Sequence, residues 1–306
     1  MPRLSAVGIS GLQAGEDVKV SPLMTTQSIL YVVATPIGNL ADITLRALDI
    51  LRSVDLIAAE DTRHAAGLLR HHNIQTPMLS YHHHNEQQKT IQLKQIMSQG
   101  ASIALISDAG TPGISDPGEV LIRMAWAEGW RVIPIPGACA ITTLISASPL
   151  AGHPFYFEGF LPSKEQARAK RLAELGDQPY TLIFYEAPHR LLNTVKALIT
   201  QFGSNRFLCL GKELTKIFET IRWAPLEEQL AWVQLHPNHQ KGEFILALDK
   251  AEIPQKRHNT ELVLTTLMEK LSLKDAVQIA HIWTECPKNE LYEQALLLAQ
   301  KSNTNL

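Results

Sequence analysis

The chain has 306 residues, 28 basic and 30 acidic side chains, and a formal net charge of −2. That balance excludes a protein that grips nucleic acid over its whole surface, so any RNA contact rests on local patches. No apolar run approaches the roughly 20 residues of a membrane helix, and the three scattered cysteines, Cys139, Cys209 and Cys286, fit reduced thiols of a cytosolic protein and neither a disulfide framework nor a zinc site.

Residues 1–28 are rich in small polar residues, show no sustained period and carry no secretory signal; they read as a disordered extension, with Met24 a second candidate start. The apolar run Ile29–Ala34 reads as a buried parallel strand. The turn Thr35-Pro36-Ile37-Gly38-Asn39 follows, and Asp42 or Thr44 opens a helix through Leu45, Leu48 and Leu51. Strands at 55–59, 78–81, 102–106 and 131–134 then alternate with helices at 62–72, 86–97 and 117–128. This alternation predicts an α/β domain with a mostly parallel sheet. Ligands of such sheets bind at the carboxyl ends of strands, where the loops 35–39, 60–64 and 107–118 all fall.

A rigid turn, Pro134 to Ala138, leads into a helix of small residues, 140–148. Pro149 to Pro154 reads as a linker, giving a first domain 29–148 and a second domain 149–252. The second half again alternates: strands at 155–157, 180–185, 206–210 and 244–248, helices at 164–175, 189–202 and 225–233. After Lys250 the composition shifts, and 253–259 reads as a further linker. Helical runs at 260–271, 273–284 and 288–300 form a last domain, 259–302, either a helix-turn-helix-like bundle or a plain packing or dimerisation module.

The loop Ser107-Asp108-Ala109-Gly110-Thr111-Pro112-Gly113-Ile114-Ser115-Asp116-Pro117-Gly118 is the richest in chemical content. Its glycines and prolines bend the backbone and let it approach a ligand closely. Its two aspartates make it a poor phosphate cradle and suit a polar, partly cationic small molecule. The chain also lacks a GxxxxGK[ST] phosphate loop and a GxGxxG fingerprint at the first strand-to-helix turn. His82-His83-His84 reads as a polar loop and not a metal site, because successive side chains on a strand point to opposite faces. Glu186, His189 and Arg190 follow one apolar strand, and the Lys212-Glu213 pair follows another. Each is either acid–base or anion-binding chemistry, or simply a capped helix and a salt bridge. Lys164, Arg168, Lys170 and Arg171, and Arg63 and Arg70 with His71 and His72, are basic patches or solvated helix faces.

Five segments, Ala34–Leu40, Ala59–Arg63, Ser107–Gly118, Glu158–Pro162 and Phe184–Arg190, resemble the motifs of the bacterial 16S rRNA 2'-O-ribose cytidine methyltransferases of the tetrapyrrole methylase superfamily. The likeness covers nearly all of the chain from Ile29, and the helical tail resembles the small terminal domain of that group. It implies two α/β domains of tetrapyrrole-methylase type with the active site in the cleft between them, plus a small C-terminal helical domain. It also implies S-adenosylmethionine as cofactor, no metal, 16S rRNA within the small ribosomal subunit as substrate, a homodimer, and a cytoplasmic enzyme.

By the same resemblance Pro36, Asp108, Ala109, Gly110, Thr111, Ile114, Pro136, Gly137, Ala138 and Tyr185 line the cofactor. A 2'-hydroxyl is a weak nucleophile, so a base is expected, and Glu60, Asp61, Glu186 and Lys212 are the candidates. Arg63, Lys164, Arg168, Lys170, Arg171 and Arg190 are expected at RNA phosphates. Four positions depart from the group's usual pattern: Ala138 in place of a proline, Cys139 in place of a serine, Lys212 in place of an arginine, and His83 in place of a glutamate; Cys139 lacks the hydroxyl that the resemblance implies at the ligand. A tetrapyrrole carbon methyltransferase and a non-catalytic ribosome-assembly factor are the rival readings.

Overall fold

The computed structural model describes residues 28–176, 178–250, 260–284 and 286–304. The extension up to Gln27, Met24 with it, and the linker 253–259 lie outside the described residues. Ser28 is part of the folded chain, its hydroxyl donating to the Met97 carbonyl. The described residues divide into two compact units, 28–36 with 40–138, and 37–39 with the chain from 139 onward.

In the first unit β1 (Ile29–Val33), β2 (Leu56–Ala59), β3 (Met78–Ser80), β4 (Ile103–Ile106) and β5 (Arg131–Ile135) form an all-parallel sheet of order β3-β2-β4-β1-β5. The central strands β1, β2 and β4 are largely buried on both faces, which is why they read as uninterrupted apolar runs, while the edge strand β5 exposes Arg131 and Pro134. Val33, Ala104 and Ile106 pack with α1 (Leu45–Ser53) and α2 (Thr62–His71) on one face. Leu30, Ile103 and Leu105 pack with α3 (Glu86–Met97) and α4 (Glu119–Ala127) on the other. Thr44, and not Asp42, caps α1, its side chain accepting from the Ala47 amide. The neighbours β1 and β4 lead into helices on opposite faces, so the sheet has a topological switch point between their carboxyl ends, where ligands of open α/β sheets bind.

The second unit begins with α5 (Ala140–Ser146), whose buried Ile141 and Leu144 join Ile183, Cys209 and Ile245 in that unit's core. The break between units therefore falls ahead of α5 and not at the Pro149–Pro154 stretch. The unit's sheet comprises β6 (Phe155–Phe160), β7 (Thr181–Glu186), β8 (Phe207–Lys212), β9 (Thr220–Pro225) and β10 (Phe244–Leu248), in the order β6-β7-β10-β8-β9. Only β6 and β7 pair in parallel; the other pairings are antiparallel. The expectation of mostly parallel pairing thus holds for the first sheet alone. Because β7 and β8 both run against β10, they end on the same side of the sheet. One face is covered by α6 (Glu165–Leu175), α7 (Leu191–Phe202) and α8 (Leu226–Leu235). The other carries α5 and the half-buried Phe157, Tyr185 and Trp223.

The last three helices, α9 (Thr260–Met268), α10 (Leu273–Thr284) and α11 (Lys288–Thr304), bury Leu264, Val277, Ala280, Leu291 and Ala295 among themselves. Among the described residues no helix is long and apolar enough to cross a membrane.

Candidate functional site

The switch point of the first sheet is built by three loops. Thr35, just past β1, pairs with Gly110 through two main-chain hydrogen bonds of 2.8 and 3.1 Å. Its hydroxyl donates to the Ser107 carbonyl at 3.2 Å. The loop from Ser107 to Gly118 takes left-handed backbone at Gly110, Gly113, Ser115 and Gly118. At Gly118 an added Cβ would meet Leu105 Cδ2 at 2.7 Å, so the residue type is forced as well as the φ of 141°. Thr111 ties the loop to the turn after β5, its hydroxyl donating to the Ala138 carbonyl at 3.3 Å. In that turn Gly137 lies so close to β1 that a Cβ would sit 2.9 Å from Ala34 Cβ. Pro36 and Gly110 are buried, while Ala109, Ile114, Pro136 and Gly137 are exposed along this rim. The structure therefore gathers Pro36, Asp108–Thr111, Ile114 and Pro136–Ala138 at one end of one sheet.

Carboxylates dominate this end. The Asp61 amide donates to Asp108 Oδ1 at 3.0 Å, and the Asp108 amide donates to Glu60 Oε2 at 3.4 Å. Burial pushes the Glu60 carboxyl above its ordinary range, with the Asp108 charge adding to it. Asp116, the second aspartate of the loop and absent from the expected cofactor-lining residues, joins the cluster: burial, then the neighbouring Glu60 charge, push it up to about 7. His83 and His82 act on Glu60 in the opposite sense. Asp61 is committed elsewhere. It caps α2 through the Arg63 amide and holds the Arg63 guanidinium at 3.1 and 2.8 Å, which brings its carboxyl down to about 2. Among the described residues no group of three or more His, Cys, Asp or Glu could hold a metal ion. His82 instead exchanges hydrogen bonds with Asn85, its amide reaching Asn85 Oδ1 at 2.9 Å.

In the second unit Glu186, Phe244 and Lys212 form one cross-strand row at the end of the sheet. Glu186 is 3 % exposed and accepts from the Ala187 amide at 2.8 Å and from the Thr194 hydroxyl, with Arg190 Nε 3.1 Å away. Its partners are those of a buried structural carboxylate. Lys212 is 9 % exposed, and its ammonium makes no hydrogen bond or ion pair among the described residues. The next residues are bent: Glu213 and Thr215 both have positive φ, of 51° and 67°. Tyr185 faces away from this row, its ring 4.9 Å from that of Phe157 and 5.7 Å from that of Phe160.

The six expected RNA contacts separate. Lys164 and Lys170 are exposed and unpaired among the described residues. Arg63 is exposed but held by Asp61. Arg168 is buried and donates to the Ser163 carbonyl at 3.2 Å. Arg171 forms a two-pronged pair with Glu158 at 2.6 and 2.8 Å and also reaches Glu174. Arg190 pairs with Glu186 and donates to the Leu161 carbonyl. Arg168, Arg171 and Arg190 are therefore internal braces, and the spacing of charges along α6 carries no signal that distinguishes them from Lys164 and Lys170.

A parallel sheet with a bent, acidic loop at its switch point, followed by a mixed sheet, is the arrangement of a methylase of the tetrapyrrole class. Residues 29–229 match the family model for Tetrapyrrole (Corrin/Porphyrin) Methylases, and residues 259–299 match that for the RsmI C-terminal HTH domain. The solved uroporphyrin-III-C-methyltransferase from Thermus thermophilus shares the fold at a TM-score of 0.53 and 18 % identity, over 72 % of this chain and 94 % of that one. Ribosomal RNA small subunit methyltransferase I of Escherichia coli O157:H7 is 46 % identical over 89 % of this chain and 96 % of its own length. The relative of that name in Pseudomonas aeruginosa is 47 % identical over 89 % of this chain and 98 % of its own. The chain belongs to this methyltransferase family.

Proposed function

We propose that this enzyme methylates the ribose 2'-oxygen of a decoding-centre cytidine in 16S rRNA, on the small ribosomal subunit, with S-adenosylmethionine as methyl donor. The observation that carries the cofactor reading is the switch-point loop. It offers backbone carbonyls and the carboxylates Asp108 and Asp116 and makes no phosphate cradle, which fits a ligand with an ammonium and a sulfonium and no phosphate. Pro36, Asp108–Thr111, Ile114 and Pro136–Ala138 would hold it, and when bound it supplies a methyl group on a good leaving group.

The chain's own contribution is to orient the ribose hydroxyl and take its proton. Asp61 is tied to Arg63, which brings its carboxyl down to about 2, and both carboxylate oxygens of Glu186 are already engaged by Ala187, Thr194 and Arg190, which leaves Glu186 no oxygen turned to a substrate. Glu60, raised above the ordinary carboxylate range, is the proposed base. Lys212 offers a buried ammonium, with no direct ion pair among the described residues though its charge is felt by the neighbouring Glu213 carboxyl, to a polar group of the substrate. Lys164, Lys170 and Arg63 are the proposed phosphate contacts. The cytoplasmic location and the homodimer implied by the family likeness belong to the same proposal.

The test is methyl transfer from labelled S-adenosylmethionine to small subunits taken from cells lacking the enzyme, followed by nucleoside mass spectrometry. Label in 2'-O-methylcytidine is the expected result; label on a base, or none, overturns the reading.

A further inference from the structure

Strand β6, Phe155-Tyr156-Phe157-Glu158-Gly159-Phe160, sets four aromatic rings along a sheet edge, and Phe160 is 53 % exposed. In a regular strand Phe157 and Phe160 would lie on opposite faces. Here the register against β7 shifts: Phe157 pairs with Ile183, Gly159 with Phe184 and Phe160 with Tyr185. Glu158 is the extra residue of a bulge, and Gly159 takes a φ of 79°. Phe160 is thereby turned onto the face of Phe157 and Tyr185.

Three side chains hold this aberrant geometry in place. Arg171 grips Glu158 of the bulge at 2.6 and 2.8 Å. Arg190 donates to the Leu161 carbonyl and Arg168 to that of Ser163, on the segment that follows the ring. Two guanidiniums and an ion pair thus pre-position a ring that faces water. Lys164, just beyond, occupies the N-cap of α6 without a capping hydrogen bond. The helix dipole disfavours a cation there, so helix stability does not explain it. A fixed, exposed ring followed four residues later in the chain by an exposed, unpaired cation is a combination suited to unstacked RNA bases and their phosphates.

We infer that Phe160 is a stacking platform for an unpaired base of the RNA substrate, with Lys164 a candidate for a phosphate of the same RNA. The inference rests on the rRNA-substrate reading above and adds a substrate-positioning residue to it. Burial of the same ring by a second copy of this chain is the competing occupant.

The full-length enzyme and its Phe160→Ala, Phe160→Trp and Phe160→Leu variants are compared in steady-state methylation of unmodified small subunits. S-adenosylmethionine affinity is measured by calorimetry, and mass by sedimentation. Loss of one base–ring stack predicts a KM for subunits raised about 5- to 100-fold in Phe160→Ala. Its kcat, cofactor affinity, unfolding midpoint and mass should stay near wild type, and Trp should restore KM where Leu does not. An unchanged KM, equal rescue by Leu, or a smaller sedimenting mass for Phe160→Ala overturns the inference. Absence of transfer by the wild type overturns the substrate reading itself, and the inference falls with it.

Discussion

The main-chain amide of Asp61 donates to a carboxylate oxygen of Asp108 across 3.0 Å. In return the Asp108 amide reaches Glu60 Oε2 at 3.4 Å. The carboxyl ends of β2 and β4, neighbours in the sheet, are thus laced together by the side chains of each loop and the amides of the other. Asp108 therefore combines a structural bond with a charge offered to a ligand, and substitution can separate the two.

Asp108→Asn keeps an oxygen for the Asp61 amide and removes the charge. Its unfolding free energy should stay within about 0.5 kcal/mol of wild type, while S-adenosylmethionine binding weakens roughly tenfold, the value of one charge-assisted contact. Asp108→Ala should add a stability loss of about 1–3 kcal/mol for the unpaired amide. Calorimetric titration and urea unfolding read the two effects separately. Wild-type affinity in Asp108→Asn would remove the charge from the cofactor argument.

Asp116 makes the first unit sensitive to pH. Its carboxyl titrates near 7 in the folded chain against an ordinary value of 3.8. Between those values the folded chain binds the extra proton. Its stabilisation is therefore full below about pH 4 and is lost as pH rises through about 7. Asp116→Asn should flatten this slope and gain on the order of 2–4 kcal/mol at pH 8 relative to wild type. Urea unfolding at pH 5 and pH 8 measures it; parallel slopes in the two proteins would count against the burial argument.

Glu186 should behave as a structural carboxylate. Glu186→Gln leaves the Arg190 guanidinium, whose side chain is 18 % exposed, without its counter-charge. Breaking such a pair costs about 3 kcal/mol. Lost activity should return at lower temperature, and the pH profile of kcat should not move. In Glu60→Gln the reverse is expected: stability is kept, and the ascending limb of the kcat profile disappears. A displaced limb in Glu186→Gln would return that residue to the list of bases.

What could be read from the sequence follows the physics of each unit. The central strands of the first sheet, β1, β2 and β4, are largely buried on both faces, so each is an apolar run between turn signals, and the alternation of strands and helices leads to the switch point. In the second unit β9 carries no sequence signal: it is a sheet edge with Arg222 mid-strand, Pro225 at its end and Ile221 37 % exposed, so no apolar run marks it. The glycine-rich loop was legible because bending and acidity are local properties. Asp116 as part of the carboxylate cluster was not, because its shift comes from tertiary burial and then from the charge of Glu60, far away in sequence. Arg168 and Arg171 lie one turn apart on α6 and read as one basic face. Only tertiary partners reveal one as buried and the other as bound to Glu158.

Cys139 stands at the N-cap of α5 and makes no side-chain cap bond. A hydroxyl there would accept from an orphan amide of the first turn, so Cys139→Ser should gain about 0.5–1 kcal/mol in urea unfolding. The family likeness also implies a hydroxyl contact to the ligand at this position, so S-adenosylmethionine affinity should rise in the same variant. A gain in stability with unchanged affinity would confine the residue to capping.

Lys164 at the N-cap of α6 and Lys170 within it are cations that no carboxylate or carbonyl engages among the described residues. Each phosphate contact releases about one counterion, so Lys164→Ala and Lys170→Ala should each weaken subunit binding and lower the slope of log affinity against log salt by roughly one. The loss should be largest at low salt and fade near 0.5 M, and unfolding midpoints should not change. Arg171→Ala should do the opposite: it frees Glu158, loosens the bulge at Gly159 and lowers the unfolding midpoint, while the salt slope stays at the wild-type value. Filter binding across a salt series, with each variant's unfolding curve beside it, separates the two kinds of cation. A reduced slope in Arg171→Ala with an unchanged midpoint would mean that its pairing with Glu158 gives way to RNA.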